Sequence, residues 1–213
     1  RVLRAAGVRA ILPKSPIGSG KGGNLCCGRT WLSAGQVDRA RAEAARMLAA
    51  LPGDLPVIGL EPSCLFTLKD EFPSLLPGPE ARALADRAML LGEFLAITKL
   101  DLKPLAAIAH VHGHCHQKSF GAFPAGLAAL KQVPELVVKP IASSCCGMAG
   151  SFGYQSETQH ASRAMAEANL IPAVRAAAAA DIIVADGTSC RHQIRGLAGR
   201  PVVHSVLVLE RAL

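Results

Sequence analysis

Glu135-Leu136-Val137-Val138-Lys139-Pro140-Ile141 runs into Ala142-Ser143-Ser144-Cys145-Cys146-Gly147-Met148. The first seven residues are rich in branched apolar side chains and predict a strand over 135–141. The thiol doublet follows at its carboxyl end. The same arrangement occurs on either side. Leu105 to Val111 predicts a strand that runs into His112-Gly113-His114-Cys115-His116. Asp181 to Ala185 predicts another, ending at Asp186-Gly187-Thr188-Ser189-Cys190. Helical patterns over 123–131 and 156–178 separate these strands, the longer one interrupted at Pro172. Strands alternating with helices imply an α/β fold with mainly parallel sheets flanked by helices. Right-handed crossovers then bring every cysteine loop to one edge of the sheet, where binding sites collect.

Working outward, the pattern repeats in the first half. Gly7 to Lys14 reads as a strand, followed by a Gly/Ser loop over 15–24, the doublet Cys26-Cys27-Gly28-Arg29 and a helix over 36–50. A strand over 56–60 then leads into Glu61-Pro62-Ser63-Cys64, and a helix is predicted over 79–96. The order strand, doublet, helix, strand, Ser-Cys thus occurs twice. The expected organisation is two pseudo-repeated units, 1–100 and 101–213, the first truncated at its N-terminus. Val202-Val203 reads as a last short strand before a C-terminal helix. Arg1 to Ala6 reads as the tail of an amphipathic helix, so the sequence is expected to be a piece of a longer chain.

Composition narrows the function. Of 213 residues, 50% are hydrophobic and only 18% charged, so the chain can bury a core without disulfide staples. No apolar run is long enough to predict a transmembrane helix. The net charge of +7 is scattered, and one Trp and one Tyr offer few stacking platforms, so nucleic acid is not an expected partner. An odd count of seven cysteines, two pairs of them adjacent, suits reduced thiols used for metal or redox work in the cytoplasm. Gly18-Ser19-Gly20-Lys21-Gly22-Gly23 lacks the Ser or Thr that a phosphate loop needs after its lysine.

The chemistry falls on the cysteines. In the second half Cys115, Cys145, Cys146 and Cys190 form a four-thiolate set from three loops, suited to an iron–sulfur cluster or to zinc. The first half offers Cys26, Cys27 and Cys64 as metal ligands. Helices starting near Cys115 and after the doublet would lower thiolate pKa values. Gly147 and Gly150 allow close backbone approach and N–H donation to sulfur. His112, His114, His116 and His192 are expected to hydrogen-bond the site from outside the ligand set.

His-Gly-His-Cys-His-Gln-Lys (112–118), Ser-Cys-Cys-Gly-Met-Ala-Gly-Ser-Phe-Gly-Tyr (144–154) and Ala-Asp-Gly-Thr-Ser-Cys-Arg-His-Gln-Ile (185–194) resemble the cysteine-rich CCG domain. That domain occurs in heterodisulfide reductase and in the iron–sulfur subunit of glycolate oxidase. The chain is most similar to the C-terminal region of fused FAD-linked oxidases of the D-2-hydroxyacid dehydrogenase type. The resemblance implies a [4Fe-4S] centre in an electron-transfer domain. FAD would lie in a separate flavin-binding module, next to ferredoxin-type modules and a redox acceptor, cytoplasmic or peripheral at the inner face of the membrane. The fullest family pattern closes each repeat with Cys-x-x-Cys, and here Glu61 and Gly187 stand where the first of those cysteines would be. Alternatives are a zinc-stabilised docking module and thiol–disulfide catalysis like that of heterodisulfide reductase.

Overall fold

The computed structural model describes residues 1–14 and 24–213; the glycine-rich stretch read as a loop lies largely outside them. The chain divides into two compact units, Ala10–Leu90 and Arg1–Arg9 with Leu91–Leu213.

In the smaller unit, strand β1 (Val57–Gly59) pairs in parallel with β2 (Ala88–Leu90). β2 corrects the sequence reading, which ran one helix over 79–96. The helix Pro79–Arg87 ends where Lys69 Nζ caps it, donating to Ala85 O at 3.3 Å and Ala88 O at 2.7 Å. The backbone turns extended at Ala88, completes the ladder to β1, and re-enters a helix at Leu91–Ala96. The strand expected over 7–14 does not form. Residues 8–14 have no ladder partner among the described residues, and Ile11 and Leu12 stay exposed. Pro13, without an N–H, closes that run.

The larger unit is built on a parallel four-stranded sheet of order β4-β3-β5-β6, with β3 Ala107–His112, β4 Leu136–Pro140, β5 Ile182–Ala185 and β6 Val202–Val203. Register is continuous across the centre: Val111 faces Pro140 on one side and Val184 on the other. The chain leaves β3 toward β4 and leaves β5 toward β6, so the connections diverge between β3 and β5. Such a switch point opens a crevice at the carboxyl ends of the strands. Behind it lies a core containing Ile141, Leu170, Ile171, Val174, Ile183 and Ile194. Each such side chain contributes about 1.5–3 kcal/mol on burial.

The long Ala-rich helix is broken at Asn169, not at Pro172. Helix Gln159–Glu167 ends, Asn169 turns to φ −148°, and Leu170–Ala176 begins anew. Pro172 sits in the first turn of the new helix, where its missing N–H costs no bond. Among the described residues no helix is long and apolar enough to cross a membrane.

Candidate metal centre

Three loops meet at the carboxyl edge of the larger sheet. The end of β3 and the segment after it carry His112, His114 and Cys115, the loop after β4 carries the doublet, and the segment after β5 carries Cys190. The four cysteines predicted as one set form one chain of thiol contacts. Cys115 hydrogen-bonds Cys145, Cys145 bonds Cys146, and Cys146 bonds Cys190. Cys190 and Cys146 are buried in the hydrophobic core, while Cys115 and Cys145 are half-buried at its rim.

The thiols shift in alternating directions along this chain. Cys145 accepts from Cys115 and Cys146, which holds its thiol far below the ordinary value against the cost of burial. Cys190 is held low by its bond from Cys146, again against burial, with His112 adding to the effect. Cys115 and Cys146 act as the donors and are pushed up, Cys115 by its bond to Cys145 and Cys146 by its bonds to Cys145 and Cys190. Thiols arranged in this way are ready to give up protons to a soft cation.

The glycine of the doublet is required at its place. Gly147 has φ +89°, and its N–H donates to Cys145 Sγ at 3.2 Å. A Cβ there would lie 2.1 Å from Ser162 O. Gln193 Nε2 braces that wall, donating to Ser162 Oγ at 3.0 Å. Gly150 (φ +70°) only turns the loop, since a Cβ on it would meet nothing within 4 Å. The helix expected after this doublet starts late, at Gln159, beyond a short 3-10 turn at Phe152–Tyr154. Helix N-termini serve other cysteines instead. Cys115 opens the helix Cys115–Ser119, and Cys190 lies in the first turn of Thr188–Ala198.

The histidines separate by role. His114 Nδ1 accepts from the His116 N–H at 3.1 Å, while Gln117 Oε1 accepts from the His114 N–H at 2.9 Å, a reciprocal cap on the Cys115 helix. Gln117 also donates to Asp186 Oδ2 at 2.9 Å, tying the β3 loop to the β5 loop. The His116 ring packs edge-on to His114. Exposed His192 pairs through Nδ1 with the Tyr154 hydroxyl at 2.8 Å. His112 is buried at 1% exposure, and its ligand atom lies within 4.8 Å of the Cys146 and Cys190 sulfurs. That is the one such group of three among the described residues. Sequence reasoning put His112 beside the thiols; its place at the end of β3, facing the β5 loop, was the signal for more.

Gly187 leaves room for a neighbour. A Cβ at this position would lie 2.4 Å from His114 Cδ2 and 3.2 Å from Cys190 Sγ. The imidazole of His114 therefore fills the space that a side chain at 187 would need.

The first doublet repeats the turn but not the set. The Gly28 N–H donates to Cys26 Sγ at 3.4 Å, with Gly28 at φ +79°. Buried Cys27 is lowered to about 6, chiefly by its bond with Cys64 and against burial, with smaller help from Arg29 N–H and Thr67. Cys64 is pushed up by the same bond and is exposed. It lies in the first turn of Pro62–Phe66, whose cap is Glu61: the carboxylate accepts from the Ser63 N–H at 3.4 Å. A π-helical turn, Thr67–Glu71, follows at once.

Residues 109–195 match the family described as CCG, the cysteine-rich domain. The chain is similar to one of the subunits that make up the anaerobic glycerol-3-phosphate dehydrogenase of Escherichia coli (strain K12), 31% identical over 200 residues, 88% of this chain and 49% of the relative. D-2-hydroxyglutarate dehydrogenase of the same organism is 27% identical over 160 residues, 73% of this chain and 15% of the relative. Lactate utilization protein A of Bacillus velezensis is 30% identical over 142 residues, 61% of this chain and 59% of the relative. The chain thus spans about half the length of the first of these relatives.

The donor set fits a soft metal. Thiols in mutual contact, with a buried imidazole nitrogen alongside, suit a metal or iron–sulfur centre.

Proposed function

We propose that this chain is the iron–sulfur electron-transfer part of a flavin-dependent 2-hydroxyacid dehydrogenase, of glycolate, D-lactate or D-2-hydroxyglutarate type. The single observation that carries the reading is the contact chain Cys115–Cys145–Cys146–Cys190, assembled from three strand ends. The similarity to dehydrogenases of glycerol 3-phosphate and D-2-hydroxyglutarate and to a lactate utilization protein supports it. Cys115, Cys145, Cys146 and Cys190 would hold a [4Fe-4S] cluster, and the cluster when bound supplies one-electron storage.

The chain's own residues set the conditions. Burial of Cys146 and Cys190 excludes water from one side. The Gly147 N–H donates to a ligand sulfur and thereby raises the reduction potential. Half-exposed Cys115 and Cys145 leave a path to partners. Substrate oxidation belongs to a flavin module elsewhere in the protein or complex, with ferredoxin-type modules between, and an acceptor takes the electrons onward.

The test is anaerobic purification and reconstitution, with iron and sulfide analysis and EPR of the reduced protein. The expected content is about four iron and four sulfide per chain. Less than about one iron after reconstitution contradicts the reading. A zinc-stabilised docking module is the second reading, favoured by the mixed His112–Cys146–Cys190 group. Stoichiometric zinc that survives reconstitution supports it.

A further inference from the structure

We propose that His112 is a direct ligand of the centre, so that four thiolates and one imidazole hold it. The inference rests on the metal reading above and adds a nitrogen donor to it.

His112 is the last residue of β3, the strand between β4 and β5, so its ring stands where the β4 and β5 loops converge. Its ligand atom and those of Cys146 and Cys190 lie within 4.8 Å of one another, and all three residues are buried. The ring is fixed from its other side. Nδ1 lies 2.8 Å from Ser143 Oγ, and the Ser143 hydroxyl has the Ile141 carbonyl as its acceptor at 3.5 Å. Nδ1 is thus engaged outside the thiol cluster, and Nε2 is the nitrogen turned toward the sulfurs. Nε2 is buried, and the polar groups it faces are the thiols, Cys190 among them. A thiol is a weak partner for a buried ring nitrogen, and a metal ion held by the neighbouring sulfurs is a stronger one. An Nδ1–H bonded to an outer-sphere oxygen is the usual support of a ligating imidazole. Other histidines near the cysteines use Nδ1 differently, His114 as a helix cap and His192 on Tyr154.

The experiment uses the whole 213-residue chain, reconstituted anaerobically with iron and sulfide, with histidine nitrogen isotopically labelled. Pulsed EPR of the reduced cluster is expected to show a strong histidine-nitrogen coupling that follows the label. His112→Ala removes it. His112→Cys keeps the iron content but loses the coupling. Independently, metal-free chain is titrated with cobalt(II), and His112→Ala is expected to weaken binding at least about tenfold. A cluster without histidine coupling, together with unchanged cobalt affinity in His112→Ala, overturns the ligand assignment and leaves the iron–sulfur reading standing. Failure to take up iron, with cobalt binding that depends on His112, upholds the ligand and overturns the iron–sulfur reading. Binding of neither metal overturns both. Should His112→Ala fail to fold, the label on unmutated protein still decides.

Discussion

The two doublets share a turn and differ in what the fold brings to it. In each, the glycine is left-handed and donates its N–H to the first cysteine, at 3.4 Å from Gly28 and 3.2 Å from Gly147. In each, the second cysteine is buried. The first doublet meets one further thiol, the exposed Cys64. The second meets Cys115, Cys190 and His112. The difference lies in the sheets. Four parallel strands deliver three cysteine loops to one edge, whereas β1 delivers only Cys64, and the segment before the first doublet forms no strand among the described residues. A Cys-Cys-Gly turn is a local device; the centre is made by topology.

The largest expected effect tests whether the two turns are equally constrained. In Gly147→Ala the new Cβ would overlap Ser162 O, at 2.1 Å, on top of a positive φ. Strain and overpacking together give a loss of about 3–5 kcal/mol. Gly28→Ala meets Ala40 O at 3.0 Å and should lose about 1–2 kcal/mol. Denaturant melts of the metal-free variants measure both, and equal losses would break the comparison.

A second pair of variants tests the two positions three residues before Cys64 and Cys190, Glu61 and Gly187. Glu61→Cys removes a helix cap and adds a fourth thiol beside Cys26, Cys27 and Cys64. Cobalt titration should show an additional site. Gly187→Cys has no such room, because His114 lies 2.4 Å from the new Cβ. It should lower the affinity of the second set, not raise it. Tighter binding in Gly187→Cys contradicts the steric account.

The smallest effect concerns the support of the larger sheet. His110 Nε2 and Asp181 Oδ2 are 2.8 Å apart, joining β3 to the start of β5. The bond from His110 holds the Asp181 carboxyl below its ordinary value. A lowered folded pKa stabilises the protein above the unfolded value of about 3.9 and loses that contribution as pH falls through the folded value. Asp181→Asn should therefore lower Tm slightly at neutral pH, and the difference should vanish in acid. A gap in Tm that persists at about pH 2 would assign the effect to packing.

Much of this was legible in the sequence. Strands ending at cysteine loops pointed to the parallel sheet and to the grouping of Cys115, Cys145, Cys146 and Cys190. Three features were not legible. Apolar content at Ile11 and Leu12 suggests a strand, but a strand needs a neighbour to accept its hydrogen bonds. The Pro79–Ala96 pattern is helical throughout, and the break after Arg87 serves partners distant in sequence, the ladder to β1 and the Lys69 cap. Pro172 looked like a helix breaker, yet its effect depends on position within a turn, and Asn169 makes the break. In the site, the sequence placed four histidines near the thiols without ranking them. Their separation came from hydrogen-bond partners as distant as Ser143 and Tyr154.

The central claim is that the second doublet's set holds the metal centre and the first doublet's does not complete one. Iron and sulfide content after anaerobic reconstitution, compared between the double variants C145S/C146S and C26S/C27S, tests it most directly. The account predicts that C145S/C146S loses the cluster and its EPR signal while C26S/C27S keeps both. Retention of the cluster in C145S/C146S, or its loss in a folded C26S/C27S, would contradict it.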